Sequence, residues 1–189
     1  ERVIDISLKP LWKAYAALKK ARDKREPLEL DLPEKKLILD DQGQVLKVVV
    51  PVRLDAHKLI EEFMIQANVA AAEVLEAKNQ PLIYRIHDVP SLAKQESLRD
   101  FLKTLEISLA RGAELRPGQF NGILSRVKGT DHEELVNQVV LRSQSQAEYN
   151  TENIGHFGLN LRHYAHFTSP IRRYADLIVH RALIRALNL

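Results

Sequence analysis

The sequence predicts an α+β fold, with several helices packed on a mainly antiparallel sheet. Three observations carry this. The stretch DAHKLIEEFMIQANVAAAEVLEAKN keeps apolar residues at helical spacing over most of its length. LELDL, KLIL and VLKVVV alternate or run apolar around DDQGQ, as the strands of a hairpin do. The chain has 189 residues, enough for one domain with a real core, and carries no internal repeat.

The elements follow in order. Pro10 to Lys24 places Leu11, Tyr15, Leu18 and Ala21 on one face of a helix. The chain then turns extended, and Gly43 is set to supply a positive φ in the hairpin turn. In the long helix Asp55 is the expected N-cap. Its expected buried stripe runs through Ile60, Phe63, Met64, Ala67, Ala70, Ala71, Val74 and Leu75. LIYRIHD reads as a strand, and SLAKQESLRDFLKTLEI as a helix begun by Ser91. Leu115 to Lys128 reads as loop then helix, HEELVNQVVLRSQ as a further helix, and AEYNT and HFGLNL as short extended pieces. The last helix is expected to open at Ser169-Pro170, because Ser caps well and Pro is favoured at the first helical position. Ile171, Tyr174, Ala175, Ile178 and Ala182 form its expected buried stripe.

Composition narrows the function classes. Hydrophobic residues make up 45% and charged residues 28%, as in ordinary soluble domains. The chain has no cysteine, which excludes disulfides and thiolate metal sites and suits a cytoplasmic location. No apolar run approaches the roughly 20 residues of a membrane span, and no membrane partner is expected. The net charge is +3, a weak pointer to a polyanion. The basic run from Lys13 to Arg25 reads most simply as a solvated helix face.

The segment HFTSPIRRYADLIVHR raises a sharper question. Arg172 and Arg173 fall at the start of the expected helix, where the dipole disfavours cations by about 0.3–1 kcal/mol each. An i,i+4 pair between Arg172 and Asp176 is the plain account, worth about 0.3–0.5 kcal/mol. The functional account is a phosphate site built from backbone N–H groups and an arginine fork. Thr168 and Ser169 add hydroxyls there, and Tyr164, His166 and Phe167 add hydrogen bonds or stacking surface.

On the long helix, Glu62 is expected to face solvent with Gln66, Glu73 and Glu76, at about 100° per residue. Glu61 falls with Ile65, Asn68 and Ala72 at the edge of the apolar stripe. It is either a boundary carboxylate bonded to a neighbouring strand or an acceptor for ribose hydroxyls. Asp40-Asp41 is ordinary turn chemistry, and His156, His163 and His166 lack the companions of a zinc site. No metal ligand is assigned.

HFGLNLRHYAHFTSPIRRYADLIVHRAL resembles the terminal signature of the ribonuclease II / ribonuclease R catalytic domain, the RNB domain. DAHKLIEEFMIQANVAAAEVL, LIYRIHDVPS and REPLELDLPEKKLILDDQGQV resemble earlier blocks of it in the same order, in the form typical of bacterial ribonuclease R. The resemblance implies a 3′→5′ exoribonuclease that hydrolyses single-stranded RNA processively to nucleoside 5′-monophosphates, with Mg²⁺ as cofactor and single-stranded or structured RNA as partner. It implies that Arg172 is catalytic, contacting phosphate at the reaction centre, and that Glu61 reads the ribose near the 3′ end. Asn68, His166, Thr168, Ser169, Arg173 and Tyr174 complete the expected substrate-binding set, with Arg173 auxiliary or structural.

The family's metal-binding aspartates, a further catalytic glutamate and the OB-fold RNA-binding domains have no counterpart in this sequence, and Leu30 takes the place of a base-stacking aromatic. Residues 1–189 are therefore expected to be a single partial domain, the C-terminal part of a catalytic domain whose remainder and OB-folds are partners in a parent protein. Alone, the chain is expected to be inactive and to self-associate through exposed edges. A noncatalytic RNA-binding or protein-interaction module of the same fold is the alternative. A structural helical domain whose arginines only make ion pairs is the plainest reading.

Overall fold

A computed structural model describes residues 2–109 and 115–189. A π-helical turn, Ile4–Leu8, runs into helix α1, Lys9–Arg25. Strands β1, Lys36–Leu39, and β2, Val45–Val49, form a hairpin. The long helix α2 spans Asp55–Ala77, followed by β3, Tyr84–Ile86, and α3, Leu92–Lys103. Helices α4, Pro117–Val127, and α5, Glu133–Ser143, lead to β4, Glu148–Asn150, and α6, Tyr174–Leu187, closes the chain.

The α+β class holds, and all ladder pairing among the described strands is antiparallel. It is divided into two ribbons, β1–β2 and β3–β4, instead of one sheet. In the hairpin turn the Asp40 carboxylate accepts from Gln42 N and Gln44 N, and Gly43 takes φ 78°, the conformation the turn requires. The expected strand at LELDL pairs with no strand among the described residues. Side-chain amides replace the ladder: Glu29 N donates to Asn121 Oδ1 and Asp31 N to Asn137 Oδ1. Leu28 and Leu30 thereby pack against the helical core.

Two cores result. One joins α3, α4 and α5 through Leu98, Leu102, Phe120, Val136 and Val140. The other joins α2, β3 and α6 through Ala72, Leu75, Ile86 and Val179, with Ala165. Ser91 caps α3 as its sequence predicts, accepting from Lys94 N. The β1–β2 hairpin belongs to neither core, and Leu37, Leu39, Leu46 and Val48 stand exposed on it.

Two helices depart from expectation. The buried face of α2 is Leu59, Glu62, Ile65, Asn68, Ala71, Ala72 and Leu75. It shares only Ala71 and Leu75 with the expected stripe. Asp55 is the first helical residue and Leu54 the N-cap. The rotation has a cause: Glu62 and Asn68 have dedicated partners inside, which a count of apolar spacing cannot see. Helix α6 begins at Tyr174, four residues after Pro170, with Arg173 as N-cap. Residues 170–172 form a turn. Ile171 is 97% exposed and Tyr174 is 70% exposed, so neither belongs to a buried stripe.

Candidate RNA-binding pocket

The rotation of α2 leaves Ile60 and Met64 facing an open pocket of about 570 Å³. The opposite wall comes from the 159–173 segment, through Leu159, Tyr164, His166, Thr168 and Arg173. Glu61 and Asn68 also border it. Five of the residues singled out in the sequence, Glu61, Asn68, His166, Thr168 and Arg173, thus meet around one cavity although more than ninety positions separate the two blocks. Arg172, Ser169 and Tyr174 are not among the lining residues; they lie in the adjoining turn and at the first turn of α6.

The wall is braced from inside. The Asn68 amide donates to Tyr164 Oη at 3.0 Å and accepts from Phe167 N at 2.9 Å. Asn68 is 3% exposed, and these two bonds make it the strut that ties the segment to α2. His180 on α6 stacks on Phe167 at 4.3 Å between ring centroids, and a bond from its Nε2 to Phe167 O locks the same stretch. Thr168 lines the pocket, and its Oγ1 is buried with no hydrogen-bond partner among the described residues.

The two arginines separate cleanly. Arg173 donates from Nε to Asp176 Oδ2 and from Nη2 to Asp176 Oδ1, each at 2.8 Å. Asp176 is fully buried and accepts a third bond from Ser169 N at 2.7 Å. Burial alone would raise its carboxyl, but the Arg173 and Ser169 bonds hold it below the usual range. The i,i+4 pair expected between Arg172 and Asp176 is therefore an i,i+3 pair from Arg173. It also explains the late helix start: the Asp176 carboxylate captures the Ser169 N–H and the neighbouring guanidinium, and holds 169–173 as a turn. Arg172 is exposed, and its hydrogen bond is a long one, from Nη2 to Ser169 Oγ at 3.5 Å. Among the described residues, Arg172 is the guanidinium of the pair that no carboxylate holds.

The two glutamates exchange their expected places. Glu62 is 4% exposed, with Oε1 2.9 Å from Arg22 Nε and Oε2 3.9 Å from Arg25 Nη2. Burial pushes its carboxyl up, partly offset by Arg22 and then Arg25, and pushes the Arg25 guanidinium down, partly offset by Glu62. The basic run on α1 is thus not wholly a solvated face, because Arg22 and Arg25 turn inward to meet α2. Glu61 is exposed, and Arg53, which the sequence did not single out, donates to its Oε2. A larger depression of about 700 Å³ lies on the other side of Glu61 and Glu62. Its cations and anions pair across it, as in Arg22 with Glu29 and Arg53 with Glu61, so it offers no field of one sign to a polyanion.

His166 is pushed down to about 4, first by burial and then by Arg173, and is neutral at pH 7. Rings pack edge to face on it from Tyr164 and from Tyr149, a residue of β4 that the sequence did not flag. Behind it His156 is held down to about 3, mainly by burial and then by His87. Among the described residues no group of three His, Cys, Asp or Glu side chains is placed to hold an ion. The donor set of the described residues does not fit Mg²⁺. No helix among the described residues is long and apolar enough to cross a membrane.

Residues 2–189 match the RNB domain. Ribonuclease R of Vibrio parahaemolyticus is 43% identical over 176 residues, which are 93% of this chain and 21% of that protein. Ribonuclease R of Escherichia coli is 42% identical over 176 residues, 93% of this chain and 22% of its own length. Mycoplasma genitalium RNase R, solved in complex with ribose-methylated single-stranded RNA, superposes with TM-score 0.88 at 31% identity, covering 97% of this chain and 29% of that one. The chain spans less than a third of the length of each of these relatives. With the match running through both cores and the pocket between α2 and the 159–173 segment, the chain belongs to the RNB-domain family.

Proposed function

We propose that this chain is the RNA-gripping part of a ribonuclease R-like enzyme, one that degrades single-stranded or structured RNA from the 3′ end in a Mg²⁺-dependent reaction. The observation that carries the reading is the convergence of Glu61, His166, Thr168 and Arg173 on one pocket, with the unclaimed Arg172 at its margin. The apolar wall of Ile60 and Met64 suits a base or sugar face, and the polar wall suits the sugar–phosphate backbone. Arg172 supplies the phosphate contact, a role for which a guanidinium without a carboxylate partner is suited. Glu61 accepts from ribose hydroxyls once Arg53 gives way.

The chain by itself does not hydrolyse RNA in this reading. The acidic side chains nearest the pocket, Glu61 and Asp176, are each engaged by an arginine. The metal-holding carboxylates come from another part of the parent protein, where the resemblance places them.

Two measurements test the proposal. The purified chain is expected to bind single-stranded RNA with log K falling linearly against log salt. It is expected to release no nucleoside monophosphates with Mg²⁺ present. Failure to bind at low salt would sink the RNA reading, and robust release by the pure chain would sink the division of labour.

A further inference from the structure

We propose that Tyr149 is a positioning residue: its hydroxyl donates to His166 Nδ1 and sets the imidazole in the Nε2–H tautomer, which presents one N–H donor to an RNA sugar or phosphate oxygen. The ligand half of this rests on the RNA reading of the pocket.

The geometry assembles from three elements. Tyr149 pairs with Arg85 in the β3–β4 register, and the Arg85 guanidinium lies 4.8 Å from the Tyr149 ring centroid. The Tyr149 hydroxyl sits 2.8 Å from His166 Nδ1. His166 is caged between the Tyr149 and Tyr164 rings, at 5.5 and 5.8 Å between centroids. Arg85 N donates to Tyr164 O, so the strand that carries Arg85 also holds the other side of the cage.

The direction of the bond follows from chemistry. An unprotonated imidazole nitrogen has an in-plane lone pair and accepts strongly. A phenol oxygen is the better donor, and a cation over its ring draws electron density away and strengthens it further. Once Nδ1 accepts, the proton must reside on Nε2. Among the described residues Nε2 has no protein partner, while His166 borders the pocket. The charged and titratable groups around the ring are Arg85, Tyr149, His156, Tyr164, Arg172, Arg173 and Asp176. Three of these are arginines against one carboxylate that Arg173 already holds. They oppose a cationic imidazole, in keeping with its lowered pKa.

The arrangement changes what His166 does. A cationic histidine would add salt-dependent, pH-dependent attraction for any phosphate. A neutral donor in a fixed tautomer recognises an acceptor by position and holds it equally from pH 6 to 8.

The test uses the ¹⁵N-labelled 189-residue chain and two readouts. Long-range ¹H–¹⁵N spectra are expected to show His166 with bare Nδ1 and protonated Nε2 from pH 6 to 8, and a tautomer mixture in Tyr149→Phe. A protonated Nδ1 in the wild type, or no change in Tyr149→Phe, overturns the proposal. Binding to a short fluorescent oligoadenylate is expected to weaken roughly threefold to tenfold in Tyr149→Phe, the range of one neutral hydrogen bond. Tyr149→Phe is expected to cost nothing further in a His166→Ala background, and His166→Gln, which keeps an N–H donor, is expected to recover part of the loss. Additive losses in the double variant would show that Tyr149 does not act through His166. If the wild-type chain binds no RNA at all, the RNA reading falls, and the nitrogen spectrum still decides the role of Tyr149.

Discussion

Arg173 grips the fully buried Asp176 with two hydrogen bonds of 2.8 Å, and this clamp, not a helix cap, shapes the TSPIR segment. It ties the turn before α6 to the first turn of the helix, and leaves Arg172 outside. Removing the carboxylate would strand the Arg173 guanidinium and the Ser169 N–H together. Asp176→Ala is expected to lower stability by about 3 kcal/mol, the low end for a broken buried pair because Arg173 can turn toward water. Urea denaturation checks it; a loss below about 1 kcal/mol would mean the clamp is not what holds the turn.

The two neighbouring arginines are expected to fail differently. Arg172→Ala should leave stability within about 0.5 kcal/mol and lower the slope of log K against log salt for single-stranded RNA by about 0.7, one phosphate contact. Arg173→Ala should destabilise the fold first. In a full-length relative carrying the same substitution, Arg172→Ala should reduce turnover far more than RNA affinity, since a charge at the reaction centre acts mainly in the transition state. Equal losses would make it an anchor only.

The adjacent glutamates give a parallel contrast. Glu62→Ala leaves Arg25 half-buried beside Arg22 with no counter-charge, and is expected to cost about 3 kcal/mol. Glu61→Gln, on an exposed side chain, is expected to cost less than about 0.5 kcal/mol while weakening RNA binding. Thermal melts paired with a binding isotherm separate the two, and reversed effects would return Glu62 to the surface.

Gly158 is constrained by a ring, not by its backbone angles. Its N–H donates to His87 Nδ1 at 2.9 Å, and an added Cβ would meet the same nitrogen at 2.9 Å. His87 Nε2 in turn bonds Ser145 O. Gly158→Ala is expected to destabilise by about 1–3 kcal/mol through forced displacement of that buried ring. An unchanged melting temperature would show the ring yields freely.

Acid should unfold the chain through its histidines. His87, His156 and His166 are all held below the ordinary value, His156 at about 3 and His166 at about 4, chiefly by burial. In the unfolded chain they take up protons near pH 6.5. The unfolded state therefore binds more protons below that pH, so stability is complete above about 6.5 and falls as pH drops toward 4. A denaturation series from pH 7.5 to 4.5 should show this decline, and replacing His156 with Phe should flatten it. A flat wild-type profile would mean these rings charge without cost.

Much of the element order was legible because local signals agreed. The Asp40–Gly43 turn, the Ser91 cap and the periodicity of α2 through α5 each act over a few residues. The strand at LELDL misled because alternation reports a half-buried extended chain, and that chain found Asn121 and Asn137 instead of a strand. Helix α6 misled because Ser-Pro is a good cap locally, while the competing carboxylate of Asp176 sits seven residues on. Tyr149 went unmarked since nothing near it in the chain hints at His166, seventeen positions away.

The amino-acid order alone thus marks the segments that meet at the pocket, LIEEFMIQAN and YAHFTSPIRRY, along with the family they resemble. Within each segment the resemblance picks Glu61 and Arg172, while periodicity misplaces Glu62 at the surface. Periodicity treats every charge as outward-facing, yet Glu62 turns inward because Arg22, forty residues away, waits there, and Arg173 because Asp176 is buried. Burying a charge is unfavourable without a partner, and the partner's position exists only once the chain has folded. Tertiary structure therefore decides which glutamate and which arginine are committed to a buried ion pair and which stay exposed.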